Sequence, residues 1–236
     1  MPTPESRYQL HLVTEPSQKR GAEEMIRAVA LALDGGVDWI QLRDKSASAA
    51  ALFAQARQLR AITKPHNANL AINDRLDVAL AVHADGVHLA GQSLPVAEAV
   101  RIANGRLLVG RSVHGLDEAI QAAEEGAEYL TFGHVFPTTT HPGVPPRGLA
   151  ELEAIVNKVE VPVLAIGGIT ADNLDAVLAT GCAGVAVISA ILSDADPSRA
   201  AARLRHVLDT SEYKPRNPLP TQRRGADAAH HQSAAV

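Results

Sequence analysis

The stretch GLDEAIQAAEEGAEYLTFGHV, residues 115–135, decides the fold. Leu116, Ala119, Ile120 and Ala123 recur at helical spacing, small residues follow at Gly126 and Ala127, an acid stands at Glu128, and Tyr129 opens a β-prone run. This reads as a helix that stops on small residues and turns through an acid directly into a strand. Related phrases occur at GGVDWI (35–40), HADGVHL (83–89) and TGCAGVAV (180–187). They introduce the second, fourth, sixth and eighth of eight apolar runs, at 8–14, 37–43, 69–73, 86–90, 107–111, 128–135, 162–168 and 184–189. Ala-rich stretches of helical period lie between the runs, so the strands are expected to be parallel with helical crossovers. The repeat unit is two strands and two helices. Eight strands in roughly 210 residues, repeated fourfold, favour an α/β chain closed into a single (β/α)8 TIM barrel over an open doubly wound sheet. The barrel domain is expected over residues 1–209. Residues 210–236 turn rich in Pro, Arg and small polar residues without periodicity, and are expected to be a disordered or loosely docked tail.

Composition narrows the function. The 236 residues are 46% hydrophobic with a formal charge of -4. The signs are interspersed, so no basic stripe is available to a phosphate backbone and nucleic acid is not an expected partner. No run of 18 apolar residues occurs, and the first ten residues lack a basic region followed by an apolar core, so no membrane association and a cytoplasmic location are expected. Cys182, the single cysteine, reads as a buried structural thiol.

In such a barrel the chemistry gathers at the C-terminal strand ends. Those ends read QLRDK, INDR, HLAGQS, GRSVH, GHVFPTTTH, IGGIT and ISAI. Gly167 and Gly168 after the seventh run, with Ile188 and Ser189 after the eighth, read as a phosphate cup of approachable backbone N–H groups. On that reading a bulkier residue at Gly168 obstructs the ligand and leaves the fold intact. Gln41, Arg43 and Lys45 alternate, which turns them to one face and offers two cations to an anionic group. The competing reading pairs Lys45 with Asp44. Asn73 and Asp74 end the third run, with Asp74 equally suited to capping the next helix. In GRSVH, Ser112 and His114 alternate toward the mouth and Arg111 points away, while Asp117 and Glu118 suit the positive end of the following helix. His11, His83 and His88 read as structural histidines.

Seven ordered motifs, IQLRDK, INDR, GVHL, GRSVH, FPTTTHPGVPPRGL, AIGGI and GVAVISAI, spread between residues 8 and 208, resemble the thiamine phosphate synthase superfamily. Its members are the synthase and the TenI-type thiazole tautomerase. The resemblance implies a barrel holding a thiazole phosphate, a small-molecule substrate, in the strand-seven and strand-eight cup, with Arg43, Lys45, Asn73, Ser112, Thr138 and Thr140 as further substrate contacts. It leaves room for a homo-oligomer. For a synthase it also implies magnesium between two acids and a lysine in the TxTK loop. Asp74 stands at the first acid, but Ser93 matches the second and His141 matches the lysine. Together with GRSVH and FGHVF, these departures point to the tautomerase, an isomerase that aromatises a carboxythiazole phosphate with no cofactor. His114 would shuttle the proton, and His134 and His141 would support the site. The synthase, a magnesium-assisted transferase, is the alternative, and a non-catalytic phosphate-ligand sensor is the third reading.

Overall fold

The computed structural model describes residues 7–15, 21–140 and 142–219. Eight parallel strands close into a barrel: β1 (Gln9–Val13), β2 (Trp39–Leu42), β3 (Asn69–Asn73), β4 (Gly86–Leu89), β5 (Leu108–Val113), β6 (Tyr129–Gly133), β7 (Val163–Ile166) and β8 (Gly184–Val187). Each strand pairs with its sequence neighbour, and β8 returns to β1 with Leu10 opposite Val185 and Leu12 opposite Val187. The helices between them are α1 (Ala22–Asp34), α2 (Ala49–Thr63), α3 (Leu76–Ala81), α4 (Val96–Ala103), α5 (Leu116–Glu124), α6 (Leu149–Lys158), α7 (Leu174–Leu178) and, after β8, α8 (Ser189–Leu192) and α9 (Pro197–Thr210). The fold is the expected (β/α)8 barrel.

Alternation along the strands divides the core in two. Leu10, Leu12, Ile40, Leu42, Leu70, Ile72, Leu130 and Phe132 point outward and pack under the helices. Trp39, Ala71, Leu108, Tyr129, Leu164 and Ala183 point inward as a separate apolar layer. His11 stacks on Trp39 with ring centroids 5.3 Å apart, so the layer continues through a buried histidine. Gly110 makes room for the Tyr129 ring, since a Cβ there would lie 2.0 Å from its Cζ.

The acids of the repeated phrase have a structural purpose. Asp38 accepts the Leu10 N–H at 2.7 Å, Asp85 the Leu70 N–H at 2.7 Å, and Glu128 the Val109 N–H at 2.9 Å. Each acid, standing just before an even strand, clamps the N-terminal end of the odd strand beside it. In the fourth phrase Ala183 occupies the matching position.

The tail is docked where it is described. α9 runs through Thr210, and the segment after it crosses the barrel floor. The Arg216 N–H donates to the Gly181 carbonyl at 2.9 Å and Asn217 Nδ2 to the Val159 carbonyl at 3.0 Å. Leu219, 1% exposed, joins Trp39, Leu108 and Tyr129 in the inner layer. Residues 211–219 are therefore docked by backbone bonds and one buried apolar side chain. The remainder of that stretch, 220–236, lies outside the described residues.

Candidate active site

A cavity of about 640 Å³ opens at the C-terminal ends of the strands. Gln41, Arg43 and Lys45 all line it, as their alternation implies. The Arg43 backbone N–H donates to Thr14 Oγ1 at 3.0 Å, and its guanidinium lies 3.5 Å from Glu15. Lys45 is exposed at the rim. Asp44 closes the turn instead of pairing with it, its Oδ1 accepting the N–H groups of Ser46 at 2.9 Å and Ala47 at 3.0 Å.

At the end of β3, Gln41 Nε2 donates to Asn73 Oδ1 at 3.0 Å and Asn73 Nδ2 donates to Asp74 Oδ2 at 2.6 Å. Asp74 has φ 61°, a left-handed conformation that aspartate tolerates. It does not cap α3, whose start has no side-chain cap. Its Oδ1 instead accepts the Ala90 N–H at 3.0 Å and the Ser93 hydroxyl. Both carboxylate oxygens are thus held within the protein, and Ser93 has no charge to offer beside them. Magnesium is usually held through carboxylate and phosphate oxygens in octahedral geometry. Among the described residues no group of three His, Cys, Asp or Glu side chains could hold a metal ion. Ser93 thus stands at the position where the resemblance implies the second acid, bonded to Asp74.

GRSVH divides as its alternation implies. Ser112 and His114 line the cavity. Arg111 points outward, donating to the Ala90 carbonyl and so pinning the loop after β4. The His114 ring is exposed, with Nδ1 2.8 Å from the Gly133 carbonyl. A carbonyl only accepts, so Nδ1 carries the proton there and, in the neutral ring, Nε2 keeps its lone pair. Glu118 in the first turn of α5 reaches back to accept the His114 N–H at 2.8 Å, the helix-start role expected of it.

The β6–α6 loop and the ends of β7 and β8 complete the mouth. Thr138, Thr140, Gly167, Gly168, Ile188 and Ser189 line the same cavity. Gly167 and Gly168 have φ 100° and 67°, and a Cβ on either would meet the loop: His134 Cβ at 2.3 Å from the first, the Pro137 carbonyl oxygen at 2.5 Å from the second. The expectation that a bulkier residue at Gly168 leaves the fold intact is corrected on this point, because the collision is with backbone. His134 is buried in the cavity wall with Nε2 3.1 Å from the Val144 carbonyl, tethering its own loop. His141 lies outside the described residues.

Sequence reasoning set His88 aside, yet it lines the cavity together with Thr131. His88 is 2% exposed, and burial lowers its pKa from 6.5 to about 4. The alternation of β4 carried the signal, since Val87 and Leu89 pack outward and leave His88 to face the barrel interior.

The chain belongs to the thiamine monophosphate synthase family, which it matches over residues 10–191. It is similar to proteins named thiamine-phosphate synthase from Pyrococcus horikoshii, 40% identical over 86% of this chain and 96% of that one, and from Methanoculleus marisnigri, 45% identical over 84% and 94%. A solved structure of thiamine phosphate pyrophosphorylase from Pyrococcus furiosus superposes with a TM-score of 0.78 at 40% identity, covering 86% of this chain and 96% of that chain. A 3-hexulose-6-phosphate synthase, 23% identical with a TM-score of 0.64, shares the fold. These relatives overturn the tautomerase expectation, and with it the isomerase class, in favour of the transferase alternative. Arg111 had weighed toward the tautomerase, and it is not in the cavity.

Proposed function

We propose that the chain is a thiamine phosphate synthase, a transferase joining a hydroxymethylpyrimidine diphosphate to a thiazole phosphate. The observation that carries this reading is about 40% identity to named synthases over nearly their whole length. The mouth supports it. Two phosphorylated substrates need two anion-holding regions, and the cavity has Gly167, Gly168, Ile188 and Ser189 on one wall and Arg43 and Lys45 on another. On this reading the first group holds the thiazole phosphate through backbone N–H groups, and the cations face the diphosphate with Asn73, Ser112, Thr138 and Thr140.

The ring nitrogen of the thiazole attacks the methylene carbon of the pyrimidine. A C–N bond forms, the C–O bond to the diphosphate breaks, and pyrophosphate leaves with the electron pair. The nitrogen uses a lone pair, so no proton is abstracted from it. The protein's part is to align the ring nitrogen with the methylene carbon and to stabilise the charge that gathers on the leaving group. Among the described residues no helix is long and apolar enough to cross a membrane.

Incubation with both substrates, with and without added magnesium, tests the proposal. Thiamine phosphate and pyrophosphate are expected in equal amounts. No thiamine phosphate under either condition overturns it.

A further inference from the structure

His88 sits beneath the mouth and has two polar neighbours. Its Nε2 is 2.8 Å from Ser112 Oγ, and its Nδ1 is 3.1 Å from the Tyr129 hydroxyl. Both His88 and Tyr129 are almost fully buried, at 2% and 1% exposure, whereas Ser112 is half-buried at the cavity. Burial keeps the Tyr129 phenol protonated, so its hydroxyl has a proton to place. Pointed at Nδ1, that proton is satisfied; pointed elsewhere it would be a buried donor without its acceptor, a costly arrangement. With Nδ1 accepting, the neutral ring carries its proton on Nε2 and donates it to Ser112. Ser112 Oγ then receives a hydrogen bond from below, and its own proton is left to point into the cavity. In the opposite tautomer Ser112 would donate to the histidine and show the cavity only an oxygen, which repels an anion.

We propose that His88 is a positioning residue that, locked by Tyr129, turns the Ser112 hydroxyl into a donor for a phosphate oxygen in the mouth. The proposal rests on the transferase reading for the identity of the natural anion, so its test uses inorganic pyrophosphate and needs no turnover.

Calorimetric titration of the folded protein with pyrophosphate is the measurement. Ser112→Ala and His88→Phe are each expected to weaken binding on the order of tenfold, the effect of one hydrogen bond to a charged group. Because both remove the same bond to the anion, the double variant should be no weaker than the weaker single one. His88→Gln, whose amide can donate to Ser112 and accept from Tyr129, should recover most of the affinity lost in His88→Phe. Should His88→Phe not fold, Tyr129→Phe replaces it, since it frees the tautomer and should weaken binding several-fold. Additive losses of about a hundredfold in the double variant, unchanged affinity in Ser112→Ala or Tyr129→Phe, or no recovery in His88→Gln would overturn the proposal. Uncoupled binding with thiamine phosphate still formed refutes only this inference. Coupled binding with no product refutes only the transferase reading.

Discussion

His114 is where the two chemistries differ most at the level of one residue. As a proton shuttle it would contribute about 100- to 10,000-fold in rate. In a transfer driven by a ring lone pair it has no proton to move, and its ring, anchored through Nδ1 to the Gly133 carbonyl, serves as a wall. His114→Asn is therefore expected to lower kcat/KM for thiamine phosphate formation by no more than about tenfold; a loss of a thousandfold would return proton transfer to the mechanism. The buried histidines predict a pH dependence of stability. Burial lowers the pKa of His11 from 6.5 to about 3 and that of His88 from 6.5 to about 4. Both stay neutral in the folded chain and become charged on unfolding at acid pH. Their contribution is complete above pH 6.5 and is lost as pH falls toward those lowered values, at about 1.4 kcal/mol per pH unit for each. Urea unfolding at pH 7 and pH 5 should differ by on the order of 4 kcal/mol, and equal stability would refute the assignment. At this scale the sequence was hardest to read. Alternation does turn Ser112 and His114 into the cavity and Arg111 away from it, whereas His88 reads as structural and yet lines the cavity, because its bonds to Ser112 and Tyr129 join strands that a motif does not relate.

Among the elements, the strands were legible almost throughout, because period-two runs bounded by small residues leave few alternatives. β5 was the exception, running two residues beyond Arg111 to Val113. Polar Arg111 and Ser112 each pair in register with β6, which carries the strand past its apolar run. The repeated acids were legible as a pattern, whereas their partners were not, since the N–H each one accepts lies 28, 15 or 19 residues earlier. That bond has a measurable consequence. Asp85 joins the start of β3 to Arg60 on α2, so Asp85→Ala leaves a strand N–H and a guanidinium without their acceptor. A loss of about 1–3 kcal/mol is expected in chemical denaturation, with Asp85→Asn restoring part of it because its amide oxygen can still accept. Equal stability of wild type and Asp85→Ala would remove the clamp from the account. Gly168→Ala belongs here too, as a loop-displacing change: lost ligand binding should come with altered proteolysis of the β6–α6 loop.

For the whole molecule, the mouth and the floor are built differently. The mouth is lined by polar strand ends around an open cavity, and the floor is sealed by the segment that carries Arg216, Asn217 and Leu219. Composition could not show this, because one leucine among prolines and arginines has no period. Leu219→Ala is expected to cost about 2–4 kcal/mol in thermal or urea unfolding, as for other buried leucines; a change within error would mean that the inner layer closes without it. The barrel's closure also bears on how the chain is made. β1 pairs with β8, and α1 packs against α9, so β1 waits through the synthesis of the six strands between them before its second edge is covered. During synthesis that edge has Leu10 and Leu12 beside it, both fully buried in the finished barrel. A nascent chain stopped before β8 should therefore hold chaperones longest at its N-terminal strand, and release them only when residues 184–187 emerge to close the ring.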